Sequence, residues 1–303
     1  MNPDDAALQR ALWAGAALLL VLVLVLLGLA LAGTWRRWPA RTAWRRWILG
    51  LGVLLPLLVL GALLVANLRQ LAGERDAAPH DALVVGLTGR LWWWELLVHA
   101  GDGGPPVALA NELVLPVGRP VRLALSSQDV IHALWIPALG VKVDLVPGRL
   151  QHLLLRLDAP GRWSAPCAEF CGEAHAGMVL QVRALPPREF EAWLANQRRE
   201  AREPANDLQR RGRELFRARR CDACHTVRGV TVAALPGPDG GPDLTHLASR
   251  ERLGAGTIVN DAAGLRAWIT GVQRLKPGAR MPSYAQLDDA TLDAIVAWLG
   301  SLE

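Results

Sequence analysis

The chain opens with two long apolar runs. Residues 11–33 carry no charge, and 23 residues of α-helix cover about 34 Å, which is enough to cross a bilayer. Residues 47–68 form a similar run, and the proline inside it is tolerated in a membrane helix. The pattern predicts a transmembrane helical hairpin over residues 1–70, with helices at about 11–33 and 47–68.

The loop between these runs is rich in arginine and flanked by tryptophan, which is typical of the cytoplasmic side of a membrane. We therefore expect the N-terminus and everything after residue 68 to lie on the periplasmic side. A cleavable signal peptide ending near 30–32 is the alternative, but the apolar run is too long and two aspartates precede it. The five arginines are Arg36, Arg37, Arg41, Arg45 and Arg46.

From residue 81 to about 186 the apolar runs become short and are separated by glycine and proline. The stretch 121–125 alternates between apolar and polar residues, as a half-buried strand does. A series of such strands predicts an all-β Greek-key sandwich or barrel over residues 81–186. The predicted strands are 82–87, 91–98, 112–117, 121–126, 141–146, 150–157 and 179–185.

After Pro186 the pattern changes to helical. Residues 187–206 are predicted to form a helix and a charged linker, and residues 207–303 an all-α domain. Within these segments the predicted helices are 188–199, 207–219, 265–269 and 287–302.

Composition narrows the possible functions. The chain has 303 residues, four cysteines and three methionines, and apart from Met1 every sulfur lies in a motif of metal-ligand type. The net charge of +5 comes from scattered basic residues, without a nucleic-acid-binding fold motif, so nucleic acid is excluded as a partner.

The twelve residues from Cys167 to Met178 contain two thiols, an imidazole and a thioether. Soft sulfur together with imidazole favours copper, with the thioether as a weak outer ligand. Cys167 and Cys171 can bridge a pair of copper ions, each with one terminal imidazole. His175 supplies one imidazole, and His132 is the candidate for the second. The alternative is a Cys167–Cys171 disulfide, which would need neither the imidazole nor the thioether.

The spacing Cys-x-Glu-x-Cys-Gly-x-x-His-x-x-Met resembles the dinuclear copper (CuA) loop of subunit II of the haem-copper oxidases. This resemblance implies a cupredoxin fold. It also implies that Glu169 gives copper its backbone carbonyl, while its carboxylate binds Mg²⁺ shared with subunit I. Trp92 is similar to the residue through which electrons reach CuA in the family, although Leu91 replaces the usual glutamine. On a strand, Trp92 and Trp94 would share one face.

A second redox motif, Cys-x-x-Cys-His, consists of Cys221, Cys224 and His225 and is the attachment pattern of haem c. The thiols become thioethers to the porphyrin, and His225 binds the iron. Met281 is the candidate for the second axial ligand, since a thioether raises the haem potential. The alternatives are a redox disulfide between Cys221 and Cys224 or half of a zinc site, but zinc would need four ligands, and the domain has no further cysteine. The segment resembles class I cytochrome c, as fused to subunit II in caa-type oxidases.

Two other polar residues of this segment are of interest. We expect His246 to be a surface histidine rather than a haem contact. For Arg250 the sequence leaves two possibilities open, a charge-assisted pair with a haem propionate or exposure to solvent.

The resemblance as a whole implies subunit II of a proton-pumping, caa-type cytochrome c oxidase, a multi-pass protein of the bacterial inner membrane. Electrons would pass from soluble cytochrome c or a similar donor to haem c, then to CuA, then to haem a and CuB of subunit I, which reduces O₂ to water. Subunit III is the other implied partner. The alternatives are the electron-input subunit of a CuA-containing nitric-oxide reductase and a membrane-tethered electron shuttle. One departure is that residues 47–68 lack the glutamate that many subunit II sequences carry near a proton path.

Overall fold

The chain divides into two units, residues 1–77 and 78–303. The first unit holds the apolar helices, and the second holds the strands and the remaining helices. The computed structural model describes residues 3–32, 48–75, 82–101, 103–231 and 240–303.

In the first unit, helix α1 spans Pro3–Leu31 and helix α2 spans Leu55–Arg75, with a π-helical segment, Ile48–Leu54, before α2. The span Arg10–Leu29 has a mean hydropathy of 2.8, and the span Gly52–Arg69 has 2.0. None of the residues in these spans is buried inside the protein. By length and composition, both helices can cross a membrane.

The bounds of both helices differ from the predicted ones. Helix α1 begins at Pro3 rather than near residue 11, because proline is accepted in the first turn and the next residues favour a helix. Helix α2 continues to Arg75, past the predicted end at residue 68, because leucine, glutamine, alanine and glutamate are good helix formers. Hydropathy marks only the apolar part of such a helix. The arginine-rich loop at 36–46 lies outside the described residues.

The second unit begins with an all-β domain. One sheet has the order β3-β2-β1-β5-β8, a second has β4-β10-β9, and β6 pairs with β7. The pairs β1–β5 and β4–β10 are parallel, and the other pairs are antiparallel. Its described residues form the strands β1 (Leu83–Arg90), β2 (Trp93–His99), β3 (Val107–Ala110), β4 (Glu112–Pro116), β5 (Val121–Ser127), β6 (His132–Ile136), β7 (Val141–Leu145), β8 (Gln151–Leu155), β9 (Gly161–Pro166) and β10 (Val179–Leu185).

Alternation along the strands decides which side chains fill the core. In β1, Leu83, Val85 and Leu87 are fully buried, and the residues between them are more exposed. Strand β5 has the same two-residue pattern. Each such buried side chain contributes about 1.5–3 kcal/mol relative to an exposed one. The hydrophobic core therefore lies on the inner faces of the two sheets.

Strand β4 does not alternate, and all five of its residues are buried. Its outer face is covered by helix α3 (Pro187–Gln197), whose Phe190 and Leu194 join the same hydrophobic core. The helix that was predicted from the sequence after Pro186 thus closes one side of the β domain.

Three strands were not predicted. Strand β3 has only four residues, β6 is buried at four of its five positions, and β9 starts with glycine and ends with proline. Strands β3 and β6 lack the alternation that indicates a strand on its own, whereas β9 does alternate and was overlooked between its terminal glycine and proline. Both β3 and β6 form because neighbouring strands supply their hydrogen-bond partners, so tertiary context outweighs local propensity.

The C-terminal domain packs three further helices, α4 (Asp207–Ala218), α5 (Ala262–Leu275) and α6 (Asp289–Leu299). Each begins with a side chain that accepts a hydrogen bond from a backbone N–H of the first turn, as helix caps do. The caps are Asn206, Asp261 and Asp288. A short hairpin was not predicted in this otherwise helical domain; its strands are β11 (Arg252–Leu253) and β12 (Ile258–Val259).

Helices α4 and α6 pack closely because Gly212 faces α6. A methyl group at Gly212 would overlap the carbonyl oxygen of Ala294 and lie 2.8 Å from Cβ of Trp298. Next to this contact, the rings of Phe216 and Trp298 meet edge to face, with centroids 5.0 Å apart.

We therefore predict that Gly212→Ala lowers the free energy of unfolding of the C-terminal domain by about 1–3 kcal/mol, because the added methyl overpacks the α4–α6 contact. Faster hydrogen exchange of α4 and α6 amides, followed by mass spectrometry, would measure this. The control is Arg211→Ala on the exposed side of the same helix, which should change little. Equal exchange in the two variants would contradict the prediction.

Candidate metal centre and haem site

The segment from Cys167 to Met178 connects two antiparallel strands, β9 and β10. Its ends are joined by a backbone hydrogen bond of 2.9 Å from Cys167 N to Met178 O. Next to it, Leu134 of β6 forms an antiparallel bridge with Cys167. Strand β6 therefore carries His132, which is 35 residues earlier in the chain, to the same end of the sandwich.

The predicted ligand atoms converge on this loop. Cys167 Sγ lies 3.9 Å from His132 Nδ1 and 3.3 Å from the Glu169 carbonyl oxygen. Cys171 Sγ lies 3.5 Å from His175 Nδ1 and 3.9 Å from Met178 Sδ. Each thiol is thus paired with one imidazole, as two copper ions bridged by two thiolates would require.

The two cysteine sulfurs are 3.9 Å apart and both cysteines are free, so the alternative disulfide is not formed. The sulfur atoms of Cys167, Cys171 and Met178 and the ring of His132 are buried among apolar side chains. The donor chemistry of the described residues, soft sulfur with imidazole in a dry environment, fits copper.

The environment also separates the two thiols chemically. A hydrogen bond from the Cys171 thiol, helped by His132, lowers the pKa of Cys167 to about 3. In turn, the Cys167 thiolate raises the pKa of Cys171, because a second thiolate next to the first is unfavourable. A cation at this position would remove that penalty, and binding of copper would release the remaining thiol proton.

His132 is held in place by two residues that the sequence analysis did not select. Its Nε2 lies 2.8 Å from Asp129 Oδ1, which leaves Nδ1 directed at Cys167. Burial opposes the charged imidazolium, but the hydrogen bonds to Asp129 and Cys167 outweigh it and raise the pKa of His132. A methyl group at Gly89 would lie 2.6 Å from the His132 ring, so only glycine leaves room for it. The three-residue spacing of Asp129 and His132 was the signal that could have indicated this pair.

Trp92 does not lie on a strand. The pairing of β1 with β2 ends at Arg90 and Trp93, so Trp92 lies in the turn before β2. The prediction that Trp92 and Trp94 share one strand face is therefore wrong. Trp94 is fully buried in the core, whereas the Trp92 indole donates a 2.8 Å hydrogen bond from Nε1 to the carbonyl of Cys171.

In the C-terminal domain, two of the predicted haem residues, Cys221 and Met281, lie against one apolar cluster, while Cys224 is exposed. His225 Nδ1 donates a 2.9 Å hydrogen bond to the carbonyl of Pro242, which leaves Nε2 to bind iron. A methyl group at Gly241 would lie 2.6 Å from the His225 ring, so this glycine allows the close approach. Cys221 and Met281 both pack against the same core cluster. A porphyrin ring would need apolar side chains of this kind on both of its faces. The residues present fit haem c.

His246 is not on the surface, so that prediction is wrong. Its exposed fraction is 3%, and its ring nitrogens face the carbonyl oxygens of Glu303 at 2.7 Å and Arg199 at 3.1 Å. It joins the C-terminus to the segment after α3, and neither nitrogen is directed at a haem. Arg250 is not in solvent either, since its guanidinium donates to the carbonyl of Asp243.

Comparison with known proteins agrees with this description. Residues 104–185 match the family described as Cytochrome C oxidase subunit II, periplasmic domain, and residues 209–303 match the family Cytochrome c. The β domain and the C-terminal helical domain each resemble the family that they match. Together with the two apolar helices, this indicates a membrane-anchored protein with a periplasmic domain.

Relatives that align with about three quarters of the chain are named cytochrome c oxidase subunit 2. A protein of Alkalihalophilus pseudofirmus named cytochrome c oxidase subunit 2 is 35% identical over 233 residues, which cover 76% of this chain and 65% of that protein. The Bacillus subtilis protein of the same name is 29% identical over 237 residues, with coverages of 76% and 65%. This chain therefore spans 65% of the length of both relatives.

Among solved structures, the periplasmic domain of cytochrome oxidase subunit II from Bradyrhizobium japonicum is similar. It is 30% identical, with a TM-score of 0.36, over 39% of this chain and 95% of that one.

The subunit II domain and the cytochrome c domain contact each other beside the copper loop. The hairpin formed by β11 and β12, here called the docking hairpin (residues 252–259), reaches the start of β10. There Val179 N donates a 2.9 Å hydrogen bond to the carbonyl of Ala255. Next to it, Glu251 N donates to Glu112 Oε1 at 3.0 Å. Burial raises the pKa of Glu112, although Arg250 opposes this rise.

We predict that Asp129→Asn weakens copper binding about 10–100-fold, because the amide no longer fixes the orientation of His132 as a carboxylate does. Titration of the metal-free chain with copper, competed by a chelator, would measure the change. The matched control is Asp144→Asn, an exposed aspartate that pairs with Lys142, and it should leave the affinity unchanged. If both variants bind copper with the affinity of the parent, Asp129 does not orient His132 for copper binding.

Proposed function

We propose that this chain is subunit II of a membrane-bound, caa-type cytochrome c oxidase. In this role it accepts electrons from a soluble donor at haem c, passes them to dinuclear CuA and delivers them to subunit I. Subunit I then reduces O₂ to water, coupled to proton translocation. The names of the relatives support the oxidase assignment, and the two metal-ligand motifs support the relay.

The observation that carries the relay is the position of Trp92 between the two redox loops. On one side, its indole nitrogen is bonded to Cys171 O, and a methyl group at Gly172 would lie 3.1 Å from its ring. On the other side, a methyl group at Gly278 would lie 2.9 Å from the same ring. Gly278 is three residues before Met281. The indole thus contacts both the copper loop and the loop of the proposed haem ligand.

Copper and haem c each supply reversible one-electron chemistry when they are bound. The chain supplies the fixed positions. His132 is held by Asp129, His225 by the carbonyl of Pro242, and the copper loop by the bond between its ends. Donors that are already in place move little when an electron arrives, which keeps the reorganisation small.

Further features of the copper loop suit contact with subunit I. Phe170 has an exposed fraction of 77%, and its ring lies 5.7 Å from that of His175. An exposed aromatic residue of this size is typical of an interface. Glu169, its neighbour, is proposed to bind Mg²⁺ at the same interface through its carboxylate.

Isolation of the full chain with its partner subunits, and measurement of O₂ against NO consumption, distinguishes an oxidase from a nitric-oxide reductase or a shuttle.

We predict two copper ions per chain, bound by His132, Cys167, Glu169 O, Cys171, His175 and Met178. Metal analysis of the purified chain should give a copper-to-protein ratio of two, and its EPR spectrum should show one electron shared between two copper nuclei. The reason is that two thiols bridge and each faces its own imidazole. One copper per chain with a mononuclear four-line spectrum would refute the dinuclear centre.

We also predict that Met281→Leu lowers the potential of haem c, because leucine keeps the side-chain volume but cannot bind iron. The visible absorption band that a Met–iron bond gives should vanish, and the potential should fall.

Copper content should stay at two in this variant, because every proposed copper ligand lies before residue 180, and this serves as the internal control. If the band and the potential persist, Met281 is not the ligand. His246 is then a poor substitute, since both of its ring nitrogens already face carbonyl oxygens.

A further inference from the structure

A buried ammonium group lies where the two extramembrane domains meet. Lys276, just after α5 of the cytochrome c domain, has an exposed fraction of 4%. Its Nζ donates three hydrogen bonds to backbone carbonyls: 2.7 Å to Trp92, 2.8 Å to Gly177 and 2.7 Å to Gly254. Two of these acceptors belong to the subunit II domain and the third to the docking hairpin. All three donors of the ammonium group are therefore used.

The cost of burying this charge indicates that its position is specific. A buried charge is strongly unfavourable unless it is fully hydrogen-bonded. Burial lowers the pKa of Lys276, and the nearby Cys171 opposes this fall. The geometry matches an ammonium group, because each of its three N–H donors meets one carbonyl oxygen.

The residue type is also specific. Of the 33 lysine and arginine residues in the chain, only Lys142 and Lys276 are lysines. Lys142 is on the surface, paired with Asp144. An ammonium group is compact and directs its donors to the corners of a tetrahedron, whereas a guanidinium is flat and wider. The site of Lys276 requires the compact shape, because three carbonyls converge on one atom.

Two of the three acceptors lie at functional positions. Trp92 contacts both redox loops, and Gly177 immediately precedes Met178 of the copper loop. Gly278, two residues after Lys276, is the residue that approaches the Trp92 ring and has φ +77°, which favours glycine. Lys276 thus fixes the backbone of Trp92 and the start of the Met281 loop relative to each other.

We propose that Lys276 is a positioning residue that locks the cytochrome c domain onto the subunit II domain and so holds the Met281 loop against Trp92. This proposal rests on the proposed function, because the contact matters only if an electron crosses it. One electron passes in each event, from haem c to copper, with no bond made or broken.

The substitution that tests this is Lys276→Met in the full chain, since methionine has a similar length and no donor. In the full chain with its groups bound, the amides of Val179 and Glu251, whose hydrogen bonds cross the interface, should exchange at least about tenfold faster. Amides inside β1 and α6 should keep their protection. This readout follows the opening of the interface and not electron transfer, so it tests the lock apart from the redox function.

In the loaded chain, photoreduction of haem c followed by reduction of copper measures the transfer rate. Lys276→Met should slow this transfer by about tenfold or more, because a small displacement of the two loops suffices to lower the rate. The Met–iron absorption band and the copper-to-protein ratio should not change, since Lys276 binds neither group. The matched control is Lys142→Met, which should behave like the parent in every measurement.

The substitution Gly278→Ala perturbs the contact between the Met281 loop and Trp92 and leaves Lys276 unchanged. Its added methyl should push the loop from Trp92 and slow the transfer while the interface amides stay protected. Unchanged exchange and an unchanged transfer rate in Lys276→Met would overturn the proposal. If the parent itself shows no transfer from haem c to copper, the proposed function fails instead, and the exchange measurement still decides whether Lys276 locks the domains.

Discussion

The closure of the copper loop is the constraint on which the rest of the second unit depends. The bond from Cys167 N to Met178 O makes the loop the connection of an antiparallel pair, so five of the six proposed donors enter from one short segment. The sixth, on His132, must come from another strand, and the bridge between Leu134 and Cys167 brings it there. The sandwich can therefore be understood as a scaffold that joins β6 to one end of the β9–β10 pair.

Local spacing explains why so much of the site was predictable. The donors in the copper loop and the attachment motif of the haem are close in sequence, and the apolar spans and alternating strands are periodic. What could not be predicted is set by contacts between distant segments. Gly89 matters only because His132 lies against it, and His246 is buried only because the C-terminus and Arg199 meet around it. No periodicity in the sequence records such contacts.

The same distinction applies to secondary structure. Strands β3 and β6 were missed because their hydrogen-bond partners, rather than their own residues, define them, whereas the alternation along β9 could have indicated that strand. The short hairpin of the cytochrome c domain belongs to the same class as β3 and β6, and Ala255 at its tip has φ +59°, which is unusual for a residue with a side chain. The carbonyl of Ala255 accepts a hydrogen bond from Val179 N of the neighbouring domain. This contact can hold the backbone of the hairpin tip in a conformation that alanine rarely adopts by itself.

The contacts of Lys276 with main-chain carbonyls have a consequence for how the interface tolerates genetic change. Every residue carries a carbonyl, so substitutions at the partner positions keep the acceptors as long as the backbone holds its course. The donor, in contrast, depends on one side chain. The acceptors of this contact therefore do not depend on side-chain chemistry, although Trp92 and Gly254 are constrained for other reasons, whereas a substitution of Lys276 alone removes all three hydrogen bonds.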